Sequence, residues 1–148
     1  MIKTQKINGI EVFSCHPAQQ TSRPPLLFVH GAFAGGWMWT DTLMPYLAEA
    51  GYPCHALSLR GHGGSDGHEH IDWLSIADYV DDVVAVIDWL GDAPVLIGHS
   101  MGGFVVQKYP VLDRIDPCAD RVQDSTGPHG VGRGLSARLV GLADAGPK

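Results

Sequence analysis

Residues 98 to 103 read Gly-His-Ser-Met-Gly-Gly, placed directly after the apolar run Val95-Leu96-Ile97 and directly before Phe104-Val105-Val106. A lone serine framed by glycines where a strand becomes a helix suits nucleophilic chemistry. Small neighbours let the backbone turn sharply, and the turn lifts the Ser100 hydroxyl out of the sheet. The helix that follows presents free N–H groups and the positive end of its dipole to charge developing beside that hydroxyl. A serine hydroxyl attacks well only when a base takes its proton and a third group holds the base. His99 adjoins Ser100, but its place in the strand turns its ring away, which makes it a packing or pocket residue. His62, His68 and His70 share a loop with Asp66 and Glu69 at spacings that do not converge ligands, so a solvated loop is expected there and no metal site.

The elements that must position Ser100 follow from hydrophobic patterning. Residues 26 to 31, 52 to 59 and 93 to 99 are short apolar segments bounded by Gly and Pro, as expected of parallel strands covered on both faces. Residues 10 to 16 alternate weakly, like an earlier strand. A helix is expected over Thr42 to Ala50, stopped by Gly51. A second follows through Ile76, Val80, Val83, Ile87 and Leu90, opened by a Ser75/Asp78 capping box, with Asp78, Asp81, Asp82 and Asp88 turned to water. A third runs from Ser100 to about Tyr109. The alternation predicts an α/β, doubly wound, mainly parallel sheet. Trp37, Trp39, Trp73 and Trp89 are expected to pack in the core and against helices, with Trp37 close enough to the loop that follows residues 26 to 31 to line a pocket.

Bulk properties narrow the class. The chain has 148 residues, 45% of them apolar, and a formal net charge of −6 without a basic run, which disfavours nucleic acid and anionic membranes. No stretch approaches the ~20 apolar residues of a membrane span, and the start has no signal-peptide core, so a soluble cytoplasmic protein is expected. Cys15, Cys54 and Cys118 lack metal-ligand spacing and are expected to be reduced packing residues.

Three motifs in order, Val-His-Gly-Ala-Phe-Ala-Gly-Gly-Trp-Met-Trp (29 to 39), Leu-Ser-Leu-Arg-Gly-His-Gly-Gly-Ser-Asp-Gly (57 to 67) and the Ser100 turn, resemble the N-terminal half of an α/β-hydrolase-fold protein over residues 7 to 109. The first is similar to the plant-type methylesterase and hydroxynitrile-lyase branch; the second is general across esterases and lipase-like hydrolases. The resemblance implies that Ser100 is the nucleophile and that the backbone N–H groups of Met101 and Ala32 form an oxyanion hole, with Phe33 as the alternative second donor. His30 is expected to pin its loop by hydrogen bonds, and His30, Gly31, Phe33, Trp37 and His99 are the candidate pocket residues. The resemblance implies a cofactor-free serine hydrolase with a small ester or acyl compound as its partner. A catalytically incompetent fragment and a non-catalytic small-molecule binder are the alternatives. Dehalogenation is disfavoured, because in this fold it uses a carboxylate where Ser100 stands. Relatives often carry Asp at the position of Ser58, a departure expected to affect loop anchoring.

In such proteins the acid and then the histidine of the triad follow the serine on loops after later strands. Asp124 and His129 satisfy the order, but their Gly/Pro-rich surroundings are poorly suited to hold an imidazole in place. No aromatic residue follows Tyr109. The expectation is therefore a fold truncated after the nucleophile helix, an atypical, disordered or frame-shifted segment over 110 to 148, and an uncovered sheet edge at residues 93 to 98. Residues 135 to 145 could make a weak helix.

Overall fold

The computed structural model describes residues 1–115 and 138–141. The chain opens on a hairpin, β1 (Ile2–Ile7) and β2 (Ile10–Cys15), paired antiparallel around Asn8-Gly9. Both turn residues have positive φ, 49° and 84°, the conformation that Asn-Gly favours in two-residue hairpins. Four parallel strands follow: β3 (Leu26–Val29), β4 (Cys54–Ser58), β5 (Val95–Gly98) and β6 (Arg138–Gly141), in a six-stranded sheet of order β1-β2-β4-β3-β5-β6. β2 meets β4 antiparallel, with Glu11 opposite Ser58 and Cys15 opposite Cys54. All of β3 is buried, as its unbroken Leu-Leu-Phe-Val run requires.

Helices cover both faces, giving the doubly wound arrangement expected. On one face α2 (Ile76–Leu90) and α3 (Met101–Ile115) pack Val80, Val83, Val86, Ile87, Val105 and Val106 against Val12, Leu27, Val29, Leu57 and Leu96. On the other, α1 (Leu43–Glu49) and the 3₁₀ turn Gly36–Trp39 bring Met44, Ala48 and Trp39 onto Phe28, Ala56 and Cys54. α2 begins with the expected capping box: Ser75 N–H donates to Asp78 Oδ2 at 2.8 Å, and Asp78 N–H to Ser75 Oγ at 3.4 Å. It stops at Gly91, φ 65°. No helix among the described residues is long and apolar enough to cross a membrane.

Five expectations are corrected. α3 continues through Pro110 to Ile115 instead of ending near Tyr109. Arg138–Gly141 is a strand, not part of a helix, and it pairs with β5, so β5 is not the sheet edge; the N–H and C=O groups that β5 would otherwise leave open are taken up by β6. Asp82 does not face water but is 1% exposed, held by Arg60. Of the four tryptophans only Trp39 is buried, whereas Trp37, Trp73 and Trp89 are 55%, 86% and 40% exposed. The remainder of the 110 to 148 segment, with Cys118, Asp124 and His129, lies outside the described residues.

Candidate active site

The turn between β5 and α3 depends on two glycines. A Cβ on Gly98 would run into the Gly102 carbonyl, and one on Gly102 would run into the Val29 and His30 carbonyl oxygens, so α3 starts in backbone contact with the end of β3. Ser100 has φ 53°, a left-handed conformation that costs a non-glycine residue about 1–3 kcal/mol and that the packed glycines hold in place. His99 N–H donates to Val29 O at 3.0 Å before the turn; Gly102 N–H donates to His99 O at 2.9 Å and Gly103 N–H to Ser100 O at 2.8 Å within it. Ser100 itself is exposed.

The segment after β3 abuts this turn. A Cβ on Gly31 would lie 3.0 Å from Ser100 Cβ and 3.0 Å from His99 Nδ1, so only glycine lets the loop come this close. Ala32 and Phe33 follow, Phe33 at φ 59° with its ring fully in solvent. Among the described residues, the N–H groups of Met101, Ala32 and Phe33 donate no backbone hydrogen bond. Free donors are therefore left at the N-terminus of α3, next to Ser100, and on the loop that follows Gly31.

His30 fastens the loop. Fully buried, it donates from Nδ1 to Gly31 O at 2.7 Å and accepts the Leu59 N–H at Nε2, 2.9 Å. Burial first, and then neighbouring His62, push its pKa down to about 4, against the opposing pull of the Gly31 carbonyl. The imidazole is neutral and structural. His99 packs edge-on to Trp39, centroids 6.2 Å apart, on the face of the sheet that α1 covers. Trp39 Nε1 is buried without a hydrogen-bond partner among the described residues. Trp37 lies over Gly35, and the exposed rings of Phe33, Trp37 and Phe104 leave the Ser100 end of the molecule apolar and open. A cavity of about 700 Å³ lies elsewhere, between the end of β2, residues 16 to 21 and α1, and does not include Ser100.

The 59 to 67 loop is braced from below. Arg60 donates from its backbone N–H (2.8 Å) and Nε (2.7 Å) to the Asp82 carboxylate, and its Nη2 lies 2.6 Å from Oδ1. Burial lifts the Asp82 pKa while Arg60 pulls it back. The expected solvated loop holds for His68 and His70 but not for His62, which is buried with Nδ1 at 3.1 Å from Arg60 O; His68 Nε2 sits 3.1 Å from Gly63 O, and exposed His70 approaches Glu69 at 3.6 Å. The three histidines point to different partners, and among the described residues no three His, Cys, Asp or Glu side chains cluster to hold a metal.

Ser100 Oγ makes no hydrogen bond to an imidazole among the described residues, and Asp124 and His129 lie outside them. Two residues that sequence reading did not place in the site region are Glu11 and Ser65. Ser65 Oγ accepts the Glu11 N–H at 2.8 Å and donates to Ser58 O at 2.5 Å. The signal for them is the β2–β4 register, which no local motif encodes.

Comparison with known proteins gives a consistent setting. A family model described as alpha/beta hydrolase fold matches residues 24–123. The chain is 34% identical over 106 residues to epoxide hydrolase A of Mycobacterium tuberculosis, covering 71% of this chain and 31% of that one. It is 36% identical over 110 residues to the bifunctional esterase/perhydrolase DCH of Acinetobacter calcoaceticus, covering 71% and 37%. Among solved structures, the thioesterase domain from the curacin biosynthetic pathway superposes with TM-score 0.62 at 28% identity, over 77% of this chain and 40% of that domain. The chain thus spans about a third to two fifths of the length of these relatives.

Proposed function

The chain belongs to the α/β-hydrolase fold family, and from that premise we propose that Ser100 is the nucleophile of a hydrolase that cleaves a small carboxylic ester or related acyl compound through an acyl-enzyme. The observation that carries the proposal is the Ser100 turn: left-handed backbone at φ 53°, with Gly31 against its Cβ. Met101, next to Ser100, and Ala32, next to Gly31, have N–H groups without a backbone hydrogen-bond partner among the described residues, which supports the reading of them as oxyanion donors.

The chemistry runs as follows. Ser100 Oγ bonds to the acyl carbon while its proton passes to a base, and the carbonyl π pair moves onto oxygen, to which Met101 and Ala32 N–H donate hydrogen bonds. Collapse expels the alcohol or thiol, which takes the proton back. Water then repeats the sequence on the Ser100 ester. No cofactor is required, because both electron pairs come from the reacting oxygens.

Relatives named for epoxide hydrolysis and for ester hydrolysis both occur, and Ser100 favours the second. A serine oxygen opening an epoxide would leave an alkyl ether that water does not cleave, whereas its attack on a carbonyl leaves a hydrolysable ester. The proposed partner is accordingly a small acyl compound, in a soluble, cytoplasmic setting.

A second reading has one observation in its favour, the lack of an imidazole on Ser100 Oγ among the described residues. On that reading the chain holds the nucleophile and the oxyanion donors without turnover. Incubation with a nitrophenyl acetate followed by intact-protein mass spectrometry separates the two. The hydrolase reading expects one acetyl group on Ser100, its loss over time, and neither event in Ser100→Ala. Acetylation that persists, or its absence, would favour the second reading.

A further inference from the structure

We propose that Glu11 and Ser58 form a hydroxyl–carboxylate relay that positions the oxyanion loop, with Glu11 a positioning residue that touches neither Ser100 nor substrate; the role rests on the reading of Ala32 as an oxyanion donor. The loop, residues 31 to 35, is fastened at both ends to two consecutive residues at the exit of β4. Leu59 N–H donates to His30 Nε2 at 2.9 Å, and Gly36 N–H donates to Ser58 Oγ at 2.9 Å. The first bond needs only a neutral histidine. The second needs a serine hydroxyl whose lone pair, not its proton, faces Gly36.

Glu11 sets that orientation. Ser58 is fully buried, and its one hydroxyl proton goes to Glu11 Oε2 at 2.7 Å, which leaves the Oγ lone pairs for Gly36. The same Oε2 accepts the Gly64 N–H at 2.9 Å. One carboxylate thus ties the oxyanion loop and the 59 to 67 loop together. Its position is dictated by the antiparallel register, which sets Glu11 opposite Ser58, and is secured by the bond from its own N–H to Ser65 Oγ.

The surroundings are shaped to the carboxylate. A Cβ on Gly63 would lie 2.7 Å from Glu11 Oε2, and one on Gly64 would run into Glu11 Oε1. A Cβ on Gly36 would lie 2.9 Å from the Phe13 ring and 3.0 Å from Ala56 O. The two loops close over Glu11 and Ser58 with glycines at the contacts, which a merely exposed surface glutamate would not require.

A relay also makes a compensation that independent roles would not. A carboxylate at position 58 could receive Gly36 N–H directly, but only if the Glu11 charge is gone, because two carboxylates in one site disfavour each other. The test measures amide hydrogen exchange and ¹⁵N–¹H shifts in the full chain for Glu11→Ala, Ser58→Ala, Ser58→Asp and the double variant Ser58→Asp/Glu11→Ala. Glu11→Ala is expected to speed exchange at Gly36 and Gly64 about tenfold, the loss expected of a charge-assisted bond, and to shift the Ala32 and Phe33 signals. Ser58→Asp alone should be worse than Ser58→Ala at Gly36. The double variant should regain protection at Gly36 and the wild-type Ala32 shift, while Gly64 stays unprotected.

If Glu11→Ala leaves Gly36 and Ala32 at their wild-type values, or if the double variant is no better than the sum of its single changes, the relay is refuted. Should Glu11→Ala not fold, Glu11→Gln in the Ser58→Asp background makes the same comparison without the charge. Labelling of Ser100 by a fluorophosphonate, measured alongside, should slow about tenfold in Glu11→Ala and recover in the double variant. A wild-type chain that takes no label while the exchange pattern holds would defeat the catalytic reading and leave the relay standing.

Discussion

Acid should unfasten the oxyanion loop through His30. Both ring nitrogens are committed, Nδ1 donating to Gly31 O at 2.7 Å and Nε2 accepting from Leu59 N–H at 2.9 Å, and only the neutral ring satisfies both. A second proton would sit on Nε2, against the Leu59 N–H. Burial holds the pKa of His30 at about 4, whereas in the unfolded chain it titrates near 6.5. Between those values the unfolded chain binds a proton that the folded chain lacks. Stability is therefore complete above about pH 6.5 and falls as the pH drops through the window toward 4. At 1.36 kcal/mol per pH unit the loss is roughly 3 kcal/mol. His55, buried and 2.9 Å from Ser14 Oγ, behaves alike, its pKa also about 4 through burial and neighbouring His16. Urea unfolding at intervals between about pH 7.5 and 4.5 measures the sum, and a His55→Gln background isolates His30, with an expected slope approaching 1.4 kcal/mol per unit. A His30 ring that titrates near 6.5 in the folded protein by ¹⁵N NMR, or stability that stays flat below pH 6 in His55→Gln, would refute the reasoning.

Ser100→Gly should raise stability by about 1 kcal/mol, because glycine adopts φ 53° without the cost a side chain incurs, and should abolish acylation; a fall in the urea midpoint would argue against strain at the turn. Gly102→Ala drives a methyl into the Val29 and His30 carbonyls and should cost about 3 kcal/mol, read as a lowered thermal midpoint. Asp82→Ala strands Arg60 and leaves its N–H unpaired; with the guanidinium side chain a third exposed, about 2 kcal/mol is expected, and less than 0.5 would mean that water replaces the pair.

What was legible in the sequence was what local chemistry dictates. Short, mostly apolar runs bounded by Gly and Pro located β3, β4 and β5. The three- and four-residue spacing of Ile76 to Leu90 located α2 almost to the residue, because a capping serine and a terminal glycine bound it. The glycine-framed serine announced its turn, since only small neighbours permit that geometry. Features set by partners far along the chain were hidden. β1 is polar along most of its length and forms because Asn8-Gly9 folds it onto β2. Asp82 looked like a solvent-facing helix residue and is buried because the loop at Arg60 descends onto α2. β6 has no strand-length apolar run and depends on the groups β5 offers. The replacement at Ser58 pointed to altered loop anchoring, but the compensating carboxylate is 47 residues away, and only the β2–β4 register brings it there.

The most direct measurement of the central claim is the rate and site of fluorophosphonate modification, followed by intact mass and peptide mapping in the wild-type chain, Ser100→Ala and His129→Ala. The account predicts a single adduct on Ser100 and none in Ser100→Ala. The oxyanion donors alone should raise the rate above that of a free serine peptide, and a base supplied by the chain should raise it further. A rate that falls a hundredfold in His129→Ala would place the missing base in the chain's C-terminal segment. An adduct that persists in Ser100→Ala, or a Ser100 no more reactive than the peptide, would contradict the account.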